Sequence, residues 1–101
     1  MMLLEELSLA MVRINYSRIE ENVIESEELT SIKGVSYFAR IDYEKGLWQI
    51  FNAKRRNCIK SGKSHNKNVL RRMARRELQK LGVRLEKEFK QSGYAKTKGI
   101  E

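Results

Sequence analysis

The spacing of apolar residues changes along this chain, and that change limits the folds it can form. Over residues 35–53 apolar and polar residues alternate, which is typical of strands with one buried face. Over residues 70–85 the apolar residues stand three or four positions apart, which is typical of a helix with one buried side. Because an isolated hairpin is only marginally stable in water, we expect this helix to cover one face of a hairpin.

The alternating stretch predicts a hairpin over residues 35–53, with a turn at residues 43–46. Gly46 is expected to take the positive φ that such a turn needs. Residues 57–59 are compatible with a third strand. Most of the hairpin's aromatic side chains are expected to lie in the core, since a sheet needs an apolar face, and stacking on nucleic-acid bases is the alternative. They are Tyr37, Phe38, Trp48 and Phe51.

A helix is predicted over residues 67–81, with a narrow apolar stripe on one side. The stripe consists of Leu70, Ala74, Leu78, Leu81 and Leu85. Four arginines fall on the opposite side, where we expect them to face water: Arg71, Arg72, Arg75 and Arg76. Ser64 or Asn66 is expected to cap the helix start. Either Gly82 ends the helix or the helix continues to Phe89.

The first thirty residues predict helical segments. Residues 2–14 fit a short helix, with a strand over residues 8–16 as the alternative. Ser17 and Glu20 have the spacing of a capping box, in which each side chain accepts a hydrogen bond from the other residue's backbone N–H at a helix start. We therefore predict a helix near residues 17–29, followed by a loop at residues 30–34.

Together these elements predict one small α+β domain over residues 1–91. A small antiparallel sheet is packed by a C-terminal basic amphipathic helix, with helical segments at the N-terminus. The last residues, 92–101, lack periodicity and are expected to form a flexible tail. A chain of 101 residues fits a single domain with its own core.

The charge of the chain is unevenly distributed. Its net charge is +8, with −4 on residues 1–50 and +12 on residues 51–101. Residues 54–76 hold ten basic residues and no acidic one, whereas surfaces usually mix the two signs. This asymmetry predicts a polyanionic partner. The ten candidate contact residues are Lys54, Arg55, Arg56, Lys60, Lys63, Lys67, Arg71, Arg72, Arg75 and Arg76.

These basic residues have the chemistry that phosphate binding requires. Arginine is a planar donor that forks onto phosphate oxygens. The backbone N–H groups of residues 61–66, predicted to form a loop ahead of the helix, are candidates to hold one phosphate at the helix start. Three alternatives remain open: a solvated basic helix face, a charged strand end at residues 54–56 that discourages edge pairing, and a polyanionic membrane surface, which is disfavoured because the apolar helix face is needed for the core.

Catalysis has little support in the sequence. His65 is the only histidine and Cys58 the only cysteine. We expect Cys58 to be a buried structural thiol, Glu21 and Glu25 to form an acidic surface, and the chain to need neither metal nor cofactor. The first glycine of a P-loop is missing, because Asn57 stands in its place. The chain is therefore predicted not to be an enzyme.

The loop and helix over residues 62–82, which begin GKSHNK, resemble the last loop and helix of double-stranded RNA-binding domains. In that family a glycine, a serine and lysines precede alanines and leucines on the inner side of the helix. The resemblance implies the order helix, three strands, helix. It also implies that Lys63, Lys67 and Arg71 contact phosphates across a groove. Leu70 stands where the family has a small alanine.

Two functional hypotheses follow from these features. The first is a small intracellular protein, expected in the cytoplasm, that binds DNA or RNA through residues 54–76. The second is a small inhibitor or adaptor, of the phage-encoded or anti-CRISPR kind, that binds a protein or ribonucleoprotein and uses acidic residues 20–28 as well. A membrane partner is not expected, and a homodimer through the apolar first 16 residues is left open.

Overall fold

The structure, a computed structural model, describes residues 11–86. These residues form one antiparallel sheet followed by one helix. The strands are β1 (Tyr16–Glu20), β2 (Val23–Ser26), β3 (Leu29–Thr30), β4 (Ser36–Asp42), β5 (Leu47–Asn52) and β6 (Asn57–Lys63). A 3-10 turn at Lys67–Val69 leads into helix α1 (Leu70–Lys80). The strand order is β1-β2-β4-β5-β6, and β3 pairs with the start of β4 beside β2.

The predicted hairpin is confirmed as β4 and β5. Ala39 pairs with Ile50 and Ile41 with Trp48, so these four side chains share one face of the sheet. Gly46 has φ +64° in the connecting turn. A Cβ on Gly46 would lie 2.6 Å from the carbonyl oxygen of Ser64, so this position needs glycine for the close approach as well as for the conformation.

The third strand is longer than the sequence predicted. β6 extends to Lys63, so the predicted loop over residues 61–66 shrinks to residues 64–66. The physical reason is a close contact near the end of the strand. A Cβ on Gly62 would lie 2.7 Å from the indole ring of Trp48, so only glycine lets β6 approach that ring.

Helix α1 covers the β4–β5 face of the sheet, as predicted. Leu70, Ala74 and Leu78 are fully buried and pack with Ile41 and Ile50 in one cluster. Asn66 accepts a hydrogen bond from the Asn68 N–H and caps the 3-10 turn. Gly82, with φ +98°, ends the helix, and the Val83 N–H returns to the Leu78 carbonyl.

The predicted helix near residues 17–29 is wrong. Residues 16–26 instead form the β1–β2 hairpin, with Asn22 at φ +70° in its turn. β2 then pairs with β4, where Glu25 faces Arg40. The capping-box spacing is a local signal, and the hydrogen bonds and side-chain pairs of a sheet outweigh it here.

The remaining N-terminal and C-terminal predictions fall mainly outside the described residues. Residues 2–10 and 87–101, including the predicted tail, lie there. Val12 forms a parallel β-bridge with Leu85, so Leu85 is buried outside the helix rather than at its end. The first helix implied by the resemblance is not found among residues 11–86. No helix in that part of the chain has the length and apolar character needed to cross a membrane.

Candidate nucleic-acid interface

The sheet divides the ten basic residues between its two sides. One side faces α1, and the other, here called the open face, has no helix on it among residues 11–86. The side chains of β6 alternate between these sides, but the strand has a bulge at Ile59. The register shows it: Ile50 pairs with Lys60, whereas Phe51 pairs with Cys58. The bulge reverses the alternation. Lys60 therefore lies on the α1 side, and Lys63 lies on the open face.

Helix α1 exposes three of its four arginines, Arg71, Arg72 and Arg76, and half-buries Arg75. Arg72 and Arg76 lie one turn apart, about 6 Å along the axis. The Arg71 guanidinium lies over the Tyr16 ring, 4.6 Å from its centroid, and Arg75 donates to the Glu86 carbonyl at 2.7 Å. Three of the four predicted arginines are thus exposed as expected, and Arg72 and Arg76 form a pair on α1 with Lys67 at the preceding turn. We call Lys67, Arg72 and Arg76 the helix surface.

The β5–β6 turn holds three more cations at one end of the sheet. The Asn52 side chain accepts from the Arg55 N–H at 2.9 Å, and the Asn52 carbonyl accepts from the Arg56 N–H at 2.7 Å. These bonds fix the turn, in which Arg56 has φ +57°. All three side chains are exposed. We call Lys54, Arg55 and Arg56 the turn surface.

On the open face, four flat groups lie in a column. The Phe38 and Phe51 rings are stacked, 4.9 Å apart with 4° between their planes. The Arg56 guanidinium lies over Phe38 at 5.5 Å, and the Arg40 guanidinium over Phe51 at 4.8 Å. Each ring therefore contacts the other ring and one guanidinium. Arg40 is held in turn by Glu25, with N–O distances of 2.9 and 2.7 Å.

The prediction that the aromatics are core residues is confirmed for Tyr37 and Trp48, which lie on the α1 side. Phe38 is also buried, at 5% exposure, but by the column on the open face. Sequence reasoning missed this column. Its signal was the placing of Phe38 and Phe51 at positions where the alternation called for polar residues.

The backbone N–H groups that were predicted to hold a phosphate ahead of the helix mostly donate hydrogen bonds within the protein. The Ser64 N–H donates to the Gly46 carbonyl at 2.9 Å, and the Asn66 N–H donates to the Ser64 hydroxyl at 3.1 Å. The Asn68 and Val69 N–H groups both donate to Asn66. Lys63 and Lys67 therefore offer charge at this end of the sheet, without a ring of free backbone donors.

Glu77 is the acidic residue that α1 contributes to this region. It forms salt bridges with Lys60 at 2.8 Å and Lys80 at 3.3 Å. The hydrogen bond from Lys60 is the main reason that the pKa of Glu77 lies below its ordinary value. Of the ten predicted contact residues, only Lys60 forms a salt bridge within residues 11–86.

The described residues that could bind a metal or act as a nucleophile do not form a site. Among the described residues no three histidine, cysteine, aspartate or glutamate side chains are grouped to hold a metal ion. Cys58 is exposed, so the expectation of a buried thiol is wrong. The bulge beside it turns its side chain to the open face, where its thiol donates to the Lys60 carbonyl at 3.3 Å.

Comparison of the chain with models of known protein families, with curated proteins and with solved structures finds no match. Within residues 11–86 the fold is a small antiparallel sheet covered on one side by one helix, with cations displayed on both sides.

Proposed function

We propose that this protein is a small, non-enzymatic nucleic-acid-binding protein that contacts phosphates with the helix surface and the turn surface. The observation that carries the proposal is the lack of internal neutralisation. Nine of the ten basic residues in 54–76 form no salt bridge with the rest of residues 11–86. Cations left exposed in this way favour a polyanion, because neutralising phosphates releases condensed counterions.

The two surfaces suit phosphate contact in different ways. On α1, Arg72 and Arg76 are presented by a rigid helix whose opposite side is buried. Their planar donors can each fork onto phosphate oxygens. The turn surface is held by two hydrogen bonds to Asn52, so Lys54 and Arg55 project from a defined backbone. Neither surface by itself indicates a base sequence, and contacts of this kind position a protein on nucleic acid without specifying one.

Charge reversal on the helix surface tests the proposal. We expect Arg72→Glu with Arg76→Glu to weaken binding of generic DNA and RNA about 100-fold or more, because each lost phosphate contact also adds repulsion. Lys54→Glu with Arg55→Glu should do the same for the turn surface. Fluorescence anisotropy with labelled nucleic acids at low salt measures both effects.

The matched control is Lys33→Glu with Lys45→Glu. It makes the same change of net charge at two exposed lysines outside residues 54–76, and we expect only a few-fold loss. Circular dichroism and thermal unfolding check that each variant stays folded. If the helix-surface variant bound as tightly as this control, the proposal would be wrong.

A second candidate function, an inhibitor or adaptor that binds a protein or ribonucleoprotein, is favoured by a separate observation. Glu20, Glu21, Glu27 and Glu28 are exposed around the β1–β2 hairpin, at the opposite edge of the sheet from β6. Purified protein that fails to shift duplex DNA and RNA, but retains a specific protein from nuclease-treated lysate, would select this candidate over nucleic-acid binding.

A further inference from the structure

The two guanidinium groups of the column on the open face differ in their ionic partners. At the Arg40 end, the guanidinium already donates twice to Glu25. At the other end, the Arg56 guanidinium lies over the Phe38 ring, and the Arg56 side chain forms no salt bridge within the described part of the chain. Phe38 is 5% exposed, and Phe51 and Arg40 are half-buried, so the most exposed flat group of the column is the Arg56 guanidinium.

The backbone holds Arg56 in an unusual conformation to place it there. Its φ of +57° lies in the left-handed region, which is unfavourable for residues with a Cβ. The turn nevertheless has an arginine at this position rather than glycine or asparagine. The contact with the Phe38 ring limits the rotational freedom of the Arg56 side chain.

Further cations and a groove adjoin this end of the column. Lys54 and Arg55 stand in the same turn and border a groove of about 360 Å³. Its other lining residues are Gly34, Val35, Ser36 and Asn52. Ser36 lies two positions before Phe38 on β4, so the groove is at the Arg56 end. A flat cation beside two exposed ones, next to a groove, matches a flat ligand flanked by phosphates.

We propose that the outer face of the Arg56 guanidinium stacks on one unpaired nucleobase of single-stranded DNA or RNA, while Lys54 and Arg55 contact the flanking phosphates. This inference rests on the proposed function and adds its ligand class. Guanidinium planes stack on unpaired bases, and such stacking tolerates any base. Base faces are covered inside a duplex, so the site selects single strands.

The test compares Arg56→Lys, which keeps the charge but loses the planar guanidinium, with Arg18→Lys, the same change at an exposed arginine of β1 outside the proposed site. The ligands are a single-stranded DNA and a single-stranded RNA of about eight nucleotides, the same DNA length built entirely from abasic units, and a blunt duplex. We expect Arg56→Lys to bind the base-containing single strands about 10-fold more weakly. It should bind the abasic strand and the duplex as wild type does, and Arg18→Lys should match wild type on every ligand. The DNA and RNA arms show which strand is preferred.

A second variant, Arg56→Gly, guards against misfolding, because glycine is favoured at this φ. It should fold at least as stably as Arg56→Lys and show the same or greater loss on base-containing strands. Wild-type affinity of Arg56→Lys for those strands would overturn the inference, as would an equal loss on the abasic strand, which assigns Arg56 to phosphate. An equal loss on the duplex would overturn it too. If wild-type protein bound none of the four ligands at low salt, the proposed function itself would fail.

Discussion

At the scale of single residues, Ser26 adds a side-chain hydrogen bond between β2 and β4 just beyond the end of their backbone pairing. The chain leaves the sheet at Glu27 and Glu28, between β2 and β3, so β4 lacks a backbone partner there. The buried Ser26 hydroxyl accepts from the Ala39 N–H at 2.9 Å and donates to the Glu27 carbonyl at 2.8 Å. The Ser26 hydroxyl thus takes the place of a backbone acceptor for the Ala39 N–H.

We predict that Ser26→Ala lowers the free energy of unfolding by about 1–3 kcal/mol, because it leaves a buried N–H without an acceptor. Urea unfolding measures the change. Ser17→Ala, at an exposed position of β1, is the control and should stay within about 0.5 kcal/mol of wild type. Equal stability of the two variants would contradict this role for Ser26.

The contact between Gly62 and Trp48 gives a second prediction. Gly62→Ala should lower the free energy of unfolding by about 1–3 kcal/mol, because its Cβ would lie 2.7 Å from the indole ring. The same variant should shift the tryptophan emission, since Trp48 is the only tryptophan and must move. Fluorescence spectra and urea unfolding measure both effects.

Gly34→Ala is the control for Gly62→Ala, because it introduces the cost of a positive φ without a steric clash. Gly34 has φ +89°, but a Cβ added to it would have no heavy atom within 4 Å. Alanine there should therefore cost about 1–2 kcal/mol and leave the tryptophan emission unchanged. An unshifted spectrum for Gly62→Ala would contradict the close packing of β6 on Trp48.

At the scale of elements, Glu77 joins the edge strand β6 to helix α1 through Lys60. Its pKa in the folded protein lies below the ordinary value of 4.5. The ion pair therefore stabilises the fold fully above pH 4.5, and this contribution is lost as the pH falls through the lower folded-state pKa. The side chains of Lys60 and Glu77 are 39% and 18% exposed, so solvent screens the pair and the contribution is modest.

We predict that Glu77→Gln lowers stability at about pH 6 and that its difference from wild type shrinks toward about pH 3. Urea unfolding at the two pH values measures this difference. Glu28→Gln, an exposed residue without a salt bridge in the described part of the chain, should show little difference from wild type at about pH 6. If the stability difference between Glu77→Gln and wild type grew as the pH fell, the predicted direction of this pH dependence would be wrong.

The elements also show where periodicity is sufficient to predict structure. The β4–β5 hairpin and α1 were predicted because each has its own repeat and buries one face. The β1–β2 hairpin was missed because Ser17 and Glu20 provide a helix signal within one short stretch, while the partner that makes this stretch a strand, β4, is distant in the sequence. Pairing of Glu25 with Arg40 is not visible from either segment alone.

At the scale of the whole molecule, the uneven charge makes binding dependent on salt. If about six phosphates are contacted, affinity should fall about 1,000-fold between roughly 50 and 200 mM salt. Anisotropy titrations across that range give the slope of log affinity against log salt. The helix-surface variant should show a shallower slope, since it contacts fewer phosphates. A wild-type affinity that stayed constant across this range would contradict phosphate binding as its source.

The sequence by itself determined the hairpin, the helix with its buried stripe, and the excess of positive charge in residues 54–76. These features depend on neighbours within a few positions. The tertiary structure alone decided which way the charges point. The bulge at Ile59 turns Lys60 toward Glu77 and leaves Lys63 on the open face, and the Phe38 ring, stacked on Phe51, lies beneath the Arg56 guanidinium. Such outcomes depend on strand register and on contacts between distant segments, so local spacing does not predict them.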